Sequence, residues 1–214
     1  MRQLRPAFLY AVALVLSVGA TLCWAPSQAE ASHFRGGTLS YVYKSGRTVD
    51  ITLDTYFRRG FSNWCPSTGT CVGRTINVGS ISTGDGGSIS AQLRVVFDDQ
   101  NGNNGVIIAR NTFTYTYRGT SLGPFVASWR GGAWISGASG RAGSSWNLET
   151  QVWLNGNTGP DFNSPTYYEW CAGIPFIINV NATDKENDPI TYRLRWTPRD
   201  KDSSIPVADN ATID

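Results

Sequence analysis

One histidine and one methionine occur in 214 residues, and lysine and glutamate are sparse. These shortages exclude several chemistries. A lone histidine, His33, sits at the front of the chain, so a Ser-His-Asp triad lacks its base beside any interior serine. A copper site of the histidine-brace kind lacks its second imidazole, and no Cys/His set has zinc-ligand spacing. The formal charge of +2 comes without a basic stripe or a run of like charge, which excludes nucleic acid as a partner. After residue 24 no stretch is apolar enough to span a bilayer, and no window carries a 3.6-residue apolar stripe. A two-carboxylate glycosidase needs no histidine, but Glu149 and Glu169 are the only glutamates placed to serve, and nothing fixes their separation. The residues point to a protein without catalytic activity.

What is present begins with an export signal. Arg2 and Arg5 precede the apolar run AFLYAVALVLSVGA, and Ala29-Glu30-Ala31 gives the small-x-small pattern that a signal peptidase reads. This predicts a helical leader over 1–31 with cleavage after Ala31; cleavage after Ala29 or Ala25, or an uncleaved anchor, are the alternatives. Cleavage moves the formal charge from +2 to +1 and removes Cys23. Three cysteines then stay in an oxidising compartment. Cys65 and Cys71 close the loop CPSTGTC cheaply, while a pairing of Cys171 with either one is the other arrangement. Asn181 and Asn210 open glycosylation sequons, relevant in a eukaryotic host.

Gly, Ser, Thr, Asn and aromatics dominate the mature chain, which disfavours helices and suits pleated surfaces. Period-two alternation puts Val49, Ile51, Leu53, Thr55 and Phe57 on one face, and likewise Ile89, Ala91, Leu93, Val95 and Phe97. Phe113, Tyr115 and Tyr117 alternate with threonines, and Trp146 falls in phase with Leu148, Val152 and Leu154. Clusters of Gly and Asn separate these runs, as between the short strands of a β-sandwich. The expected fold is all-β, with a sandwich over 32–158, a Gly/Asn/Pro linker over 159–166, and the start of a second β domain over 167–214. About fifty residues fall short of the roughly 100 that an Ig-type sandwich takes, so this second unit is partial.

Two stretches carry a resemblance. The mature start Ser32-His33-Phe34-Arg35-Gly36-Gly37-Thr38, followed by a strand pair that closes on Tyr56-Phe57-Arg58-Arg59, resembles a family of secreted proteins opening S-H-F-R-G-G-T, seen in marine invertebrates and in certain bacterial surface proteins. The segment Ala182-Thr183-Asp184-Lys185-Glu186-Asn187-Asp188-Pro189-Ile190-Thr191-Tyr192 resembles the A-T-D-x-D-G-D-P-L-T-Y signature of cadherin-like and Ig-like repeats. Glu186 and Asn187 stand where that signature has Asp and Gly. The resemblance implies an extracellular or cell-surface location and a β fold; it implies no activity.

Three expectations concern sites. Asp184, Glu186 and Asp188 bring oxygen ligands two residues apart onto a turn, the chemistry of a calcium site; a plain solvated turn is the other reading. The loop Asp98–Asn103 imitates an EF-hand but lacks its glycine and has Arg110 in place of the closing glutamate, so it reads as a hairpin end. Trp129, Trp134 and Trp153 offer rings for stacking on sugars, with Trp153 on the outward face; core filling is the competing use of such rings. The reading that follows is an extracellular interaction module for adhesion or matrix assembly, gripping a protein or a glycan, with calcium as its one candidate cofactor. A secreted carbohydrate-binding protein is its rival.

Overall fold

In the computed structural model the alternating segments become seven long strands: β1 (Phe34–Ser45), β2 (Thr48–Arg58), β3 (Thr75–Ser82), β4 (Ser88–Asp98), β5 (Val106–Thr116), β6 (Phe125–Gly131) and β7 (Trp146–Val152). Two short strands follow, β8 (Asp161–Phe162) and β9 (Ala182–Thr183). The structure describes residues 33–61, 64–66, 68–102, 105–132, 145–166, 168 and 177–192. Expectations on the leader (1–31), Trp134, Cys171 and Asn210 lie outside the described residues. The fold is all-β, and among the described residues no helix is long and apolar enough to cross a membrane.

The long strands form one antiparallel sheet in the order β1-β2-β5-β4-β3-β6-β7. The meander β3-β4-β5 is flanked by β2 on one side and β6 on the other, so two Greek keys share three strands. The sheet curls until its two edges meet: a methyl placed on Gly37 of β1 would lie 3.2 Å from the Leu148 side chain of β7. The expected sandwich is thus a single sheet rolled toward closure, which buries one face and shields both edges.

The inward face follows the alternation closely. Val49, Ile51, Leu53, Thr55 and Phe57 are all buried on β2, and Ala91, Leu93 and Val95 on β4. Each fully buried aliphatic side chain contributes about 1.5–3 kcal/mol. Phe34, from the S-H-F-R-G-G-T opening, is wholly buried and packs its ring on Phe57, Trp129 and Trp146. Trp146, Val152 and Leu154 are core, as their phase predicts, and Trp153 faces outward.

Phe97 breaks the pattern. The alternation puts it in the core, yet it is 47% exposed. The register slips between Val95 and Phe97, where Val95 faces Ala109 and Phe97 already faces Ile108. This β-bulge spends one extra residue, reverses the alternation, and turns Asp98 inward instead. There Asp98 meets Arg59: Nε donates to Oδ1 at 2.7 Å, with both side chains almost fully buried. The Cys71 and Gln100 backbone N–H groups also donate to the Asp98 carboxylate, at 2.9 and 3.0 Å. Arg59 spends Nη2 on the Gly69 carbonyl and its own N–H on the Gly105 carbonyl. Burial pushes the Asp98 carboxyl up, but these donors outweigh it and hold it below the usual carboxylate range. Cys65 and Cys71 are joined in a disulfide, with Cα atoms 5.1 Å apart, so the local pairing is the one formed.

A second carboxylate organises the β3–β4 turn. Asp85 accepts hydrogen bonds from the Thr83 and Tyr115 hydroxyls and from the N–H groups of Gly87 and Arg118. Burial raises its pKa, yet the four donors prevail and bring it down to about 2.

Removing one partner of the Arg59–Asp98 pair leaves a buried guanidinium uncompensated, so Asp98→Ala is expected to cost about 3–5 kcal/mol in urea unfolding. A loss below 1 kcal/mol would place the ion pair effectively in solvent. The pH dependence follows from Asp85. Its folded pKa lies below the unfolded value of about 3.9, so its stabilisation is complete above that value and lost as pH falls toward 2. With allowance for partial exposure, about 1–2 kcal/mol should disappear over that window. Asp85→Asn should lower stability at neutral pH and flatten the acid limb of the curve.

Candidate functional site

The outward face of β1, β2 and β5 is a grid of hydroxyls and charges. Thr48 and Thr116 share a hydrogen bond across the ladder at 2.9 Å, as do Thr52 and Thr112; Thr114 donates to Asp50 at 2.6 Å. Register puts Asp54 opposite Arg110, and Nε and Nη2 of Arg110 both donate to Asp54 Oδ2. The other carboxylate oxygen, Oδ1, is buried without a hydrogen-bond partner.

Over this grid passes the chain from Thr158 to Pro165. Gly159 donates its N–H to the Tyr41 carbonyl and lies so close to the Tyr41 ring that a methyl there would sit 2.9 Å away. Thr158 Oγ1 accepts from the Tyr43 N–H, and the Thr158 N–H donates to Glu186 Oε2 at 3.2 Å. Further along, Thr166 presses on β1 where only a glycine fits, since a methyl on Gly36 would run into the Thr166 carbonyl oxygen. β8 then pairs with β9, Asp161 opposite Thr183 and Phe162 opposite Ala182. Between the sheet face and this strap opens a cleft of about 720 Å³, within the size range of small-ligand sites. Its floor includes Ser40, Thr52, Asp54, Arg110 and Thr112; its wall includes Phe162 and Asp184. Asp54 raises the pKa of Arg110 further, and burial pushes the Tyr56 phenol up.

The residues singled out from sequence fall in different places. Asp184 is a turn residue: its Oδ1 accepts from the N–H groups of Glu186 and Asp188, at 3.0 and 2.9 Å. Asn187 stands at φ 61°, which accounts for its replacing the glycine of the repeat signature, because asparagine tolerates the left-handed region. Glu186 reaches away to Thr158. The three carboxylates therefore do not converge. Among the described residues, one set of three ligand atoms lies within 4.8 Å of one another, on Cys65, Cys71 and Asp98, and both sulfurs are spent in the disulfide. Trp129 is not a sugar platform: it is 2% exposed and donates its indole N–H to the Val78 carbonyl. Trp153 is 39% exposed and does not line the cleft; its backbone N–H donates to the Tyr41 hydroxyl. Asn181 is exposed, as a glycosylation site requires. Sequence reasoning missed the cleft. The signal available was the polar outward phase of β2 and β5, Asp50-x-Thr52-x-Asp54 and Arg110-x-Thr112-x-Thr114.

Residues 35–155, more than half of the chain, match the family model described as integrin beta-like protein A-E, N-terminal. Integrin beta-like protein C of Dictyostelium discoideum is 27% identical over 172 residues, covering 74% of this chain. The chain spans 8% of the length of that relative. No solved structure matches.

The geometry of the Asp184 turn yields a direct test. Its backbone donors are satisfied by Asp184 itself, so the melting temperature should be the same in millimolar Ca²⁺ and in excess EDTA. Asp184→Ala should lower it equally in both, by the equivalent of about 1 kcal/mol. A calcium-dependent rise that Asp184→Ala abolishes would mean that the carboxylates gather around an ion after all.

Proposed function

Because the chain belongs to the integrin beta-like protein A-E N-terminal family, we propose that it is an extracellular, adhesion-related recognition module without catalytic activity. The observation that carries the reading is the open polar cleft, built on a sheet whose ladder hydrogen bonds fix its floor. A floor of this kind holds side chains at set spacings and needs no moving part, as a docking surface requires. The leader over 1–31 supports export. The Cys65–Cys71 disulfide supports an oxidising compartment. The segment from residue 167 onward is read as the opening of a cadherin-like or Ig-like unit, supported by the Asp184–Asp188 turn with Asn187 in the left-handed region. Calcium at that turn would require Glu186 to leave Thr158.

Beads coated with the mature chain should adhere to cells well above albumin-coated beads, and soluble protein should compete the adhesion away. Adhesion equal to the albumin control, at matched coating density and with the fold intact by circular dichroism, would overturn the reading.

A further inference from the structure

We propose that the cleft over β1, β2 and β5 binds a neutral oligosaccharide, with Asp54 and Arg110 reading adjacent sugar hydroxyls and Phe162 stacking on the ring. The inference rests on the module being an extracellular recognition domain, and it names what the module grips.

Charge decides the ligand class first. Asp54, Asp161 and Asp184 line the cleft against Arg110 and Lys185. Arg110 is the cation at the floor, and its Nε and Nη2 are already committed to Asp54. A phosphate, sulfate or acidic sugar would meet the unneutralised side of the balance. A cationic side chain would have to approach Asp54 beside the Arg110 guanidinium, which repels it. A neutral donor suffers neither penalty.

Hydrogen-bonding capacity narrows it further. Asp54 is a residue 8% exposed whose Oδ1 has no partner while its Oδ2 holds Arg110. Leaving a buried carboxylate oxygen unpaired is costly, and a ligand hydroxyl admitted by a small shift of the side chains around it would supply the missing donor. In the Thr52–Thr112 pair one hydroxyl donates to the other, which leaves the second hydroxyl hydrogen and further lone pairs for a ligand. Ser40, opposite Thr52 in the β1–β2 register, adds another hydroxyl to the same row. A floor that offers a charged acceptor, a guanidinium and a row of hydroxyls at ladder spacing matches a molecule bearing hydroxyls at every carbon. The wall supplies the apolar counterpart. Phe162 is 41% exposed on β8 and lines the cleft, in position for the C–H face of a pyranose.

The test is an array of neutral and acidic oligosaccharides probed with the mature chain, followed by titration calorimetry with the best neutral binder. Asp54→Asn is the informative variant. Its amide oxygen keeps the Arg110 contact, so its NH₂ group must replace Oδ1 and offers a donor where the site has an acceptor. Affinity should fall by about tenfold or more for Asp54→Asn and for Phe162→Ala, a surface change that leaves the core untouched. Trp153→Ala should bind like wild type. The proposal is overturned if no neutral glycan binds, if acidic glycans bind better, or if Trp153→Ala loses binding while Phe162→Ala keeps it. Beads that adhere although no glycan binds would leave the adhesion reading standing and remove this one. Glycan binding without bead adhesion would do the reverse.

Discussion

The Arg59–Asp98 ion pair is the constraint on which the closed end of the sheet depends. Arg59 leaves the end of β2, Asp98 ends β4, and the pair they form gathers four pieces of chain at one end of the sheet. These are the β2 exit, the disulfide loop at Gly69 and Cys71, the turn at Gln100, and the β5 entry at Gly105. Two charges buried this deeply are tolerable only when their remaining donors and lone pairs are filled, and here backbone groups fill them. The bulge before Phe97 is what turns Asp98 inward, so one inserted residue on β4 decides whether the pair exists. The disulfide belongs to the same arrangement: the Cys71 N–H that bonds Asp98 is held in place by its link to Cys65.

Most of the barrel wall was legible in the sequence, because alternation is a local signal and a face buried over its whole length cannot slip register without exposing it. The faces of β2 and β5 and the phase of Trp146 all follow from it. Phe97 was not legible, since a one-residue bulge leaves no mark in composition or in hydropathy alternation. Trp129 shows the limit of reading aromatics. Its ring suits a sugar or a core equally well, and only the approach of Phe34 and Trp146 from distant strands settles the matter. The Asp184 turn was found by its spacing, but spacing does not tell whether carboxylates point together or fold back on their own backbone.

The S-H-F-R-G-G-T opening has a physical meaning that its resemblance alone did not supply. Phe34 anchors the strand in the aromatic core. Gly37 admits the backbone of Asp54 and the side chain of Leu148, which lets the sheet close. Gly36 faces outward and admits Thr166, which seats the strap on the sheet. One glycine serves the inside of the fold and its neighbour serves the outside. The motif is thus a packing device that builds both the closed sheet and the wall of the cleft.

Floor and wall are held very differently. The floor strands exchange a full ladder of backbone hydrogen bonds, eleven register pairs between β2 and β5 alone. The strap rests on scattered bonds at Gly159, Thr158 and Asn163, and on two residue pairs between β8 and β9. Local opening follows the density of such contacts, so the wall opens at far lower cost than the floor. A ligand that bridges both would draw its orientation from the rigid hydroxyl grid and its retention from closing the strap. Glu186 couples this wall to the Asp184 turn through Thr158, alongside the β8–β9 pairs and the bonds of Asn163 to Asn181 and Thr183.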